Sequence, residues 1–430
     1  MRDFTSRFPS LRAFRYPAYV RIWLGAFVSN LGSWVQTVSV GIYVTETTGK
    51  AGWTGTIAAL AYAPAVFLGP IGGALADRYD RRKVIIPLTI VQALAVTALA
   101  ALSATGGLTL PAIAALVFVS GCAGALATPA YSALLSEIVE PEDLLSSVSL
   151  NAGQFNLART VGPMLAALIL TAGGITFSFV VNAVSYLGVI AAVAASTPRL
   201  VHRTGPPEGI WGGMATGLKV ASTDPGIRLA LPLVLLMTVL VAPFIGLMPA
   251  YAIQGFGKGQ AAASILAMAQ GAGALCAALV ANALAMRWGV KSLLMRGLTA
   301  VSPIAAIYWL APWYEMAFAM LAVLGGVYLW TLTALSTTCL GRVSRDLQAR
   351  MSSLYAVTLS GGYSVGLVTL GWMQDRLGLR VVPVVAALLM LAVTLVLRQR
   401  KAFDALEQPS VYGGLMMPKA AAPAPIDVEA

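Results

Sequence analysis

Charge is scarce in this chain. Only 10% of its 430 residues are Asp, Glu, Lys or Arg, where a soluble domain carries about 25%. A water-soluble enzyme of this length needs far more polar surface, so that class is excluded. Histidine is nearly absent: His202 is the single one, in a polar stretch between Arg199 and Arg203. An HExxH zinc site needs two and does not exist here, and nothing around His202 supports a hydrolytic triad. Cysteine is limited to Cys122, Cys276 and Cys339. They lie far apart inside apolar runs, which excludes a disulfide framework and a CxxC redox or zinc pair. No GxxxxGK[ST] loop occurs, because Gly49-Lys50 and Gly257-Lys258 lack the earlier glycine and the following hydroxyl. Nucleotide-driven pumping within this chain is therefore not expected. No cofactor and no metal are implied, and the chain is not expected to be an enzyme.

What the sequence has instead is apolar length. Apolar residues make up 58% of the chain and the mean hydropathy is +0.80. Twelve apolar stretches can be marked at 19–45, 52–76, 84–104, 109–136, 144–172, 175–196, 228–254, 260–286, 292–311, 314–340, 350–374 and 379–397. Each meets the roughly 20 residues that a helix needs to cross hydrocarbon. A bilayer offers free backbone amides no partner, so the spans must be helices. Barrel strands would alternate at period two over about ten residues, and these runs do not. The first run is too long, and has no small-residue cleavage site after it, for a cleavable signal peptide. Residues 4–16 mix Phe4, Phe8, Leu11 and Phe14 with Arg7, Arg12 and Arg15, which suits a short interfacial segment or a basic tail.

The positions of the cations give an orientation. With the N-terminus placed in the cytoplasm, 23 Lys and Arg fall on the inner side and 4 on the outer side, and Arg159 remains inside the fifth span. That asymmetry fixes an even number of spans with both termini inside. It also accounts for the net charge of +11 without a nucleic-acid partner. Residues 197–227, with Pro198, Pro206 and Pro207, form the longest polar stretch between spans. The expected organisation is a cytoplasmic segment 1–18, six spans over 19–196, a cytoplasmic central loop 197–227, six spans over 228–398, and a disordered cytoplasmic tail 399–430 rich in alanine and proline. Within the loop, Ile210, Trp211, Met214, Leu218 and Val220 suit a short helix on the inner membrane surface.

The two halves echo each other. Gly73-Ala-Leu-Ala-Asp77-Arg78 closes span two, and Asn282-Ala-Leu-Ala-Met286-Arg287 closes span eight. Leu144-Leu-Ser-Ser147 opens span five, and Arg350-Met-Ser-Ser353 opens span eleven. Parallel six-span repeats point to an all-α membrane protein of two six-helix bundles, the architecture of a secondary transporter.

The segment Gly73-x-x-x-Asp77-Arg78-x-x-Arg81-Arg82-Lys83, between spans two and three, resembles the loop signature of the major facilitator superfamily. The resemblance covers about residues 1–400. The opening Phe14-Arg15-Tyr-Pro-x-Tyr-x-Arg21-x-Trp23-Leu-Gly, continuing to Ser29-Asn30-x-Gly32-x-Trp34, is similar to the branch with enterobactin exporters and macrolide efflux proteins. The resemblance implies twelve transmembrane helices in the major facilitator fold. It also implies a gating role for Gly73, Asp77, Arg78, Arg81 and Arg82. In the family the acid pairs with cytoplasmic arginines and the N-terminus of span eleven when the inner gate is shut. A carboxylate at a helix N-terminus gains about 0.3–1 kcal/mol there. Asp80 stands where the family usually has glycine, and Asp tolerates a left-handed turn. In span five, Gly162-Pro163 within Ala158-Arg159-x-x-Gly162-Pro163-x-x-Ala166-Ala167 resembles an antiporter motif in which three glycines are here alanine. Small residues at that spacing permit close helix contact.

Arg159 is the one charge deep inside a span, and insertion at mid-helix costs about 2.5–3.5 kcal/mol. A cavity or a partner is therefore expected around it, and the guanidinium suits an anionic or catecholate-like substrate. Asn151 and Phe155 share its helical stripe. Asn30 and Thr37 in span one, Gln270 in span eight, Tyr328 in span ten, and Tyr355 and Tyr363 in span eleven complete the substrate-binding candidates for an amphipathic pocket. No carboxylate lies mid-span, so Glu46 and Glu137, near span ends, are the candidates for proton coupling. The function expected is secondary active transport at a bacterial inner membrane. The chain, as a monomer in the lipid bilayer, would export a small amphipathic molecule (siderophore, antibiotic or drug) with protons as the coupling ion. An importer or facilitator on the same fold remains open, as does a non-transporting membrane sensor or lipid-handling protein.

Overall fold

The computed structural model describes residues 9–196 and 210–413. The sequence readings on Phe4, Arg7 and Phe8, on Pro198 to Glu208 with His202, and on the tail beyond Gly413 lie outside the described residues. Within them the fold is helical, and the β-type pairing is confined to isolated bridges from Val343 to Tyr412 and Gly413.

Twelve spans form, although ten helices are long and apolar enough to be recognised as such. Helix α1 (Pro17–Thr48) has 32 residues but carries Ser29, Asn30, Ser33, Gln36 and Thr37, which dilute its apolar character. Leu144–Ala194 is one continuous run that holds two spans, divided at Gly174 with φ of 65°. That left-handed conformation suits glycine because it has no Cβ to clash. The remaining spans are α2 (Ala51–Arg78), α3 (Arg81–Ala104), α4 (Leu110–Ile138), α5 (144–173), α6 (175–194), α7 (Pro225–Gly255), α8 and α9 (Gln260–Leu310, divided at Gly289), α10 (Tyr314–Gly341), α11 (Arg345–Leu377) and α12 (Val381–Gln399). They form two six-helix bundles, α1–α6 and α7–α12. The ends that carry the α2–α3, α8–α9 and α10–α11 connections form the basic end of the molecule, and the opposite face is the far end.

Several elements depart from the sequence reading. Pro9–Arg15 is a 3-10 helix docked on the start of α5. There the Ala13 amide donates to Ser146 Oγ at 3.0 Å, and the Tyr16 hydroxyl donates to Asp143 at 3.0 Å. Asp80 has φ of −54°, so no left-handed turn forms. Its carboxylate instead caps α3, accepting from the Arg82 amide at 2.9 Å. The helix Ile210–Thr223 is present, and Val220 and Ala221 are buried in the core of the C-terminal half.

The expectation of disorder from residue 399 is corrected for 402–413. Ala402–Leu406 is a 3-10 helix with Phe403 2% exposed. Arg342 donates to the carbonyls of Leu406 at 3.2 Å and Gln408 at 3.0 Å, and the Ser344 amide donates to Tyr412 at 3.1 Å. The reason is a buried ion pair. Arg342 Nε meets Asp224 Oδ1 at 2.6 Å, with side chains 7% and 0% exposed. A buried guanidinium needs all its donors satisfied, and the tail supplies the carbonyls. Burial pushes the Asp224 carboxyl up, but the Arg342 guanidinium and the amides of Ile227 and Val411 outweigh it and hold it below the usual carboxylate range.

Candidate functional site

A cavity of about 350 Å³ lies between the two halves at mid-depth. Its centre is Arg159 on α5. Arg159 Nε donates to Gln270 Oε1 on α8 at 3.1 Å, a bond between the halves. That bond orients the Gln270 amide with its oxygen occupied, so its nitrogen is left to donate. Gln270 Nε2 and Arg159 Nη2 are both buried without a hydrogen-bond partner. Two donors, one of them charged, are thus left without partners on residues that line the cavity. The guanidinium lies 5.6 Å from the Trp34 ring centroid, a cation–π distance. Tyr62, Tyr328 and Tyr363 are close enough to interact with it electrostatically. Tyr62 and Tyr363, from opposite halves, meet edge to face at 5.1 Å. Among the described residues no carboxylate lines the cavity.

Gly162 sets part of this geometry. A Cβ there would stand 2.5 Å from the Trp34 Cβ. Its small size lets α1 approach α5 and brings Trp34 beneath the guanidinium. Pro163 lines the cavity itself.

Of the substrate-binding candidates, Thr37, Arg159, Gln270 and Tyr363 line the cavity. The others are placed elsewhere. Asn30 donates to Gln154 at 3.1 Å, and Gln154 in turn donates to Asn151 at 3.2 Å, an amide chain between α1 and α5. Phe155 is 45% exposed and packs on Trp34 at 6.2 Å. Tyr328 packs against Phe244 at 5.5 Å, and the Tyr355 hydroxyl donates to the Leu332 carbonyl at 3.4 Å. The cavity also uses residues that the sequence reading passed over. Asn182 on α6 donates to Gln36 Oε1 at 2.6 Å, and the Tyr186 hydroxyl lies near Ser33, Ser120 and Asn182. A signal existed: Ser178, Asn182 and Ser185 share one face of an otherwise apolar span.

The far end is shut across the two halves by α2 and α11. The Asp375 carboxylate on α11 accepts from the Ala51 amide at 2.8 Å and from the Gly52 amide at 2.9 Å, capping the first turn of α2. Trp372 Nε1 donates to Thr56 at 3.1 Å. A Cβ on Gly55 would come 2.3 Å from the Leu367 carbonyl oxygen, so the backbones touch there. Gln260 adds a bond from α8 to Glu46 on α1, at 2.8 Å. Along the same stripe of α2 toward the basic end, Gly69 and Gly73 face open space.

Within the loop signature, Arg81 and Arg82 find partners in the N-terminal half. Asp77 and Arg78 are exposed at the last turn of α2. Arg81 pairs with Glu137 on α4 at 2.7 Å, side chains 12% and 11% exposed. Arg82 pairs with Asp80 at 3.3 Å and donates to the Ser196 carbonyl at 3.0 Å.

Comparison with known proteins adds independent findings. Residues 8–419 match the family model described as transmembrane secretion effector. Macrolide efflux protein A of Streptococcus pyogenes is 28% identical over 178 residues, which covers 41% of this chain and 42% of that protein. The match thus spans less than half the length of that relative. Enterobactin exporter EntS of Salmonella typhi is 25% identical over 392 residues, 86% of this chain and 88% of that one. Among solved structures, the nucleoside transporter NupG superposes with a TM-score of 0.67 at 14% identity, covering 91% of this chain and 99% of that one. A bacterial homologue of the human lysosomal transporter Spinster, in an inward-facing unoccupied conformation, gives 0.65 at 13% identity, covering 91% and 94%. At these identities the structural likeness shows the fold.

Proposed function

The chain belongs to the transmembrane secretion effector family of major facilitator transporters, and from that premise we propose that it exports a small amphipathic organic anion by alternating access, in exchange for protons. The observation that carries this reading is the pair of unpartnered buried donors, Arg159 Nη2 and Gln270 Nε2, on residues that line a cavity with no carboxylate among its described lining residues. Two donors in a low-dielectric space favour a carboxylate or catecholate oxygen and oppose a cation. Trp34, Tyr62 and Tyr363 give the remainder of such a molecule an aromatic bed. Export is supported by the two relatives named for efflux and export. The basic end is assigned to the cytoplasm on the distribution of Lys and Arg. The shut far end and the α2 stripe open toward the basic end support reading this arrangement as the one that would load from inside. Of the two coupling candidates, Glu46 fits better. Its bond to Gln260 joins the halves, so its surroundings change as the far end opens, which a proton carrier requires. The Glu137–Arg81 pair lies within one half.

The test is uptake into inside-out vesicles of a deletion strain expressing the full chain, with an imposed proton gradient. An aromatic carboxylate or catecholate set should accumulate and a quaternary ammonium set should not. Accumulation of the cations alone would remove the reading. Glu46→Gln should uncouple uptake from the gradient and leave substrate counterflow intact.

A further inference from the structure

A second cavity, of about 370 Å³, lies away from the transport path. It sits between α9 and α12 at the basic end and is lined by Ser292, Met295, Arg296, Thr299, Ala300 and Arg398. Arg296 is seven residues beyond the Gly289 bend, about 10 Å along the helix. Arg398 is the penultimate residue of α12. The two guanidiniums therefore flank one cleft near the depth where headgroups meet hydrocarbon. Arg296 is held by its stack on Trp288, with 4.2 Å from the guanidinium carbon to the ring centroid. The two carboxylates that follow α12, Asp404 and Glu407, both pair with Lys291, at 2.8 and 3.1 Å. Among the described residues no carboxylate pairs with Arg296 or Arg398. The outer surfaces of both helices are apolar. Leu388, Leu389 and Leu395 on α12, and Ile307 and Leu310 on α9, are exposed. In a membrane protein such surfaces face acyl chains.

We propose that this cleft binds the phosphodiester headgroup of an anionic membrane lipid, with Arg296 and Arg398 on the phosphate and the acyl chains along α9 and α12. Two guanidiniums in a membrane cleft need a counter-charge, and a planar fork matches phosphate oxygens. Basic pockets between spans on the cytoplasmic side are suited to such lipids. The Ser292 hydroxyl adds a donor for the glycerol or phosphate oxygens. The site is independent of the central cavity, so it stands or falls apart from the export reading.

The experiment is native mass spectrometry of the purified full chain in detergent, titrated with phosphatidylglycerol, phosphatidylcholine or inorganic phosphate. Phosphatidylglycerol should bind about thirtyfold more tightly than phosphatidylcholine, on roughly 1 kcal/mol for each of the two basic residues near the membrane surface. Arg296→Gln with Arg398→Gln should abolish that preference, and Arg296→Lys with Arg398→Lys should keep most of it. Arg400→Gln, at the same end but outside the cleft, should behave as wild type. Arg398→Gln alone, at an exposed helix end, carries the test if the double variant fails to fold, and should lose part of the preference. The proposal is overturned if the Gln variants keep the wild-type preference, if Arg400→Gln loses as much, or if millimolar inorganic phosphate displaces the lipid and binds equally well.

Discussion

The two halves of the molecule are built differently. In the C-terminal half the buried apolar residues belong to one continuous core, from Ile227 through Leu298 and Leu321 to Phe403, which reaches across the interface to Val35, Ile42, Ala59 and Ala166. In the N-terminal half the buried residues outside that shared core fall into two clusters. One, with Tyr19, Ile22 and Leu134, sits at the basic end, and the other, with Val44, Leu99 and Phe179, sits at the far end. The gap between them is the polar layer of Ser33, Gln36, Ser120 and Asn182 that lines the cavity. Splitting a core costs apolar burial, at about 25 cal/mol per Å². The N-terminal half accepts that cost and gains hydrogen-bonding groups facing the other half. The C-terminal half contributes mainly apolar wall, with Gln270 and Tyr363 as its polar exceptions. On the proposed export reading, one half would carry most of the recognition, and the other would be the firmer scaffold against which it moves.

The sharpest way to break this comparison is to unpair the charges that brace each half. Asp224→Asn strands the Arg342 guanidinium in the C-terminal scaffold, and breaking a buried pair costs about 3–5 kcal/mol. Its thermal unfolding midpoint in detergent should fall well below that of Glu137→Gln, whose pair with Arg81 is more exposed. Equal losses would deny the C-terminal half its scaffold role. Next in size is recognition. Arg159→Gln removes a charge-assisted bond to substrate, worth about 1.5–3 kcal/mol, so the apparent affinity in proteoliposome counterflow should drop about 10- to 100-fold. Gln270→Ala, on the other half, should lose less because a neutral donor is worth about 1 kcal/mol. Were Gln270→Ala the worse of the two, recognition would belong to the C-terminal half. Smaller again is the clasp at the far end. Asp375→Ala removes two bonds to the start of α2, but the carboxylate is exposed, so roughly 1 kcal/mol and a fivefold shift toward the open far end are expected. Spin labels at Thr48→Cys and Lys258→Cys, one on each half, should report a larger long-distance population in that variant.

The sequence reveals the spans because each is long and apolar, and their ends fall close to where the helices end. It reveals Arg159 because a lone charge at mid-span demands an explanation, and Gln270 because an amide in an apolar run does too. The tyrosines are harder to sort. Tyr328, Tyr355 and Tyr363 look alike along the chain, but only Tyr363 reaches the cavity wall. Asn30 and Asn151 share the same polarity as Asn182, yet both are spent on Gln154. Which amide faces the cavity depends on helix rotation within the bundle, and a local stripe does not encode that. Asp375 reads as an ordinary acid at a helix end. Its role is visible only once α11 lies beside the first turn of α2, more than 300 residues away in sequence. The docked stretch 402–413 escapes a compositional reading for the same reason. Its partners are the buried Arg342 and Asp224, and composition does not show a distant unsatisfied guanidinium.

The smallest effect compares the same device in the two halves. Asp80 caps α3 as Asp224 caps α7, but Asp80 lies nearer the surface, with its side chain 17% exposed. Partial burial pushes the Asp80 carboxyl up. The hydrogen bonds from the Arg82 side chain and amide, and the nearby charges of Arg82 and Lys83, outweigh it and hold it below the usual range. A carboxyl lowered in the folded state adds stability above its unfolded pKa, about 3.9, and that stability is lost as pH falls through the folded value. Asparagine caps a helix about as well as aspartate, so Asp80→Asn removes only the charge. At pH 7 and low salt the variant should be less stable by a few tenths of a kcal/mol, about the size of an exposed pair. The gap should close below about pH 4 and should also close in roughly 1 M salt, where the screening length falls to about 3 Å. Thermal unfolding of both proteins from pH 7 to pH 3 measures it. A gap that persisted at low pH would mean that Asp80 holds α3 by its shape and not by its charge, and the two caps would then differ in kind as well as in degree.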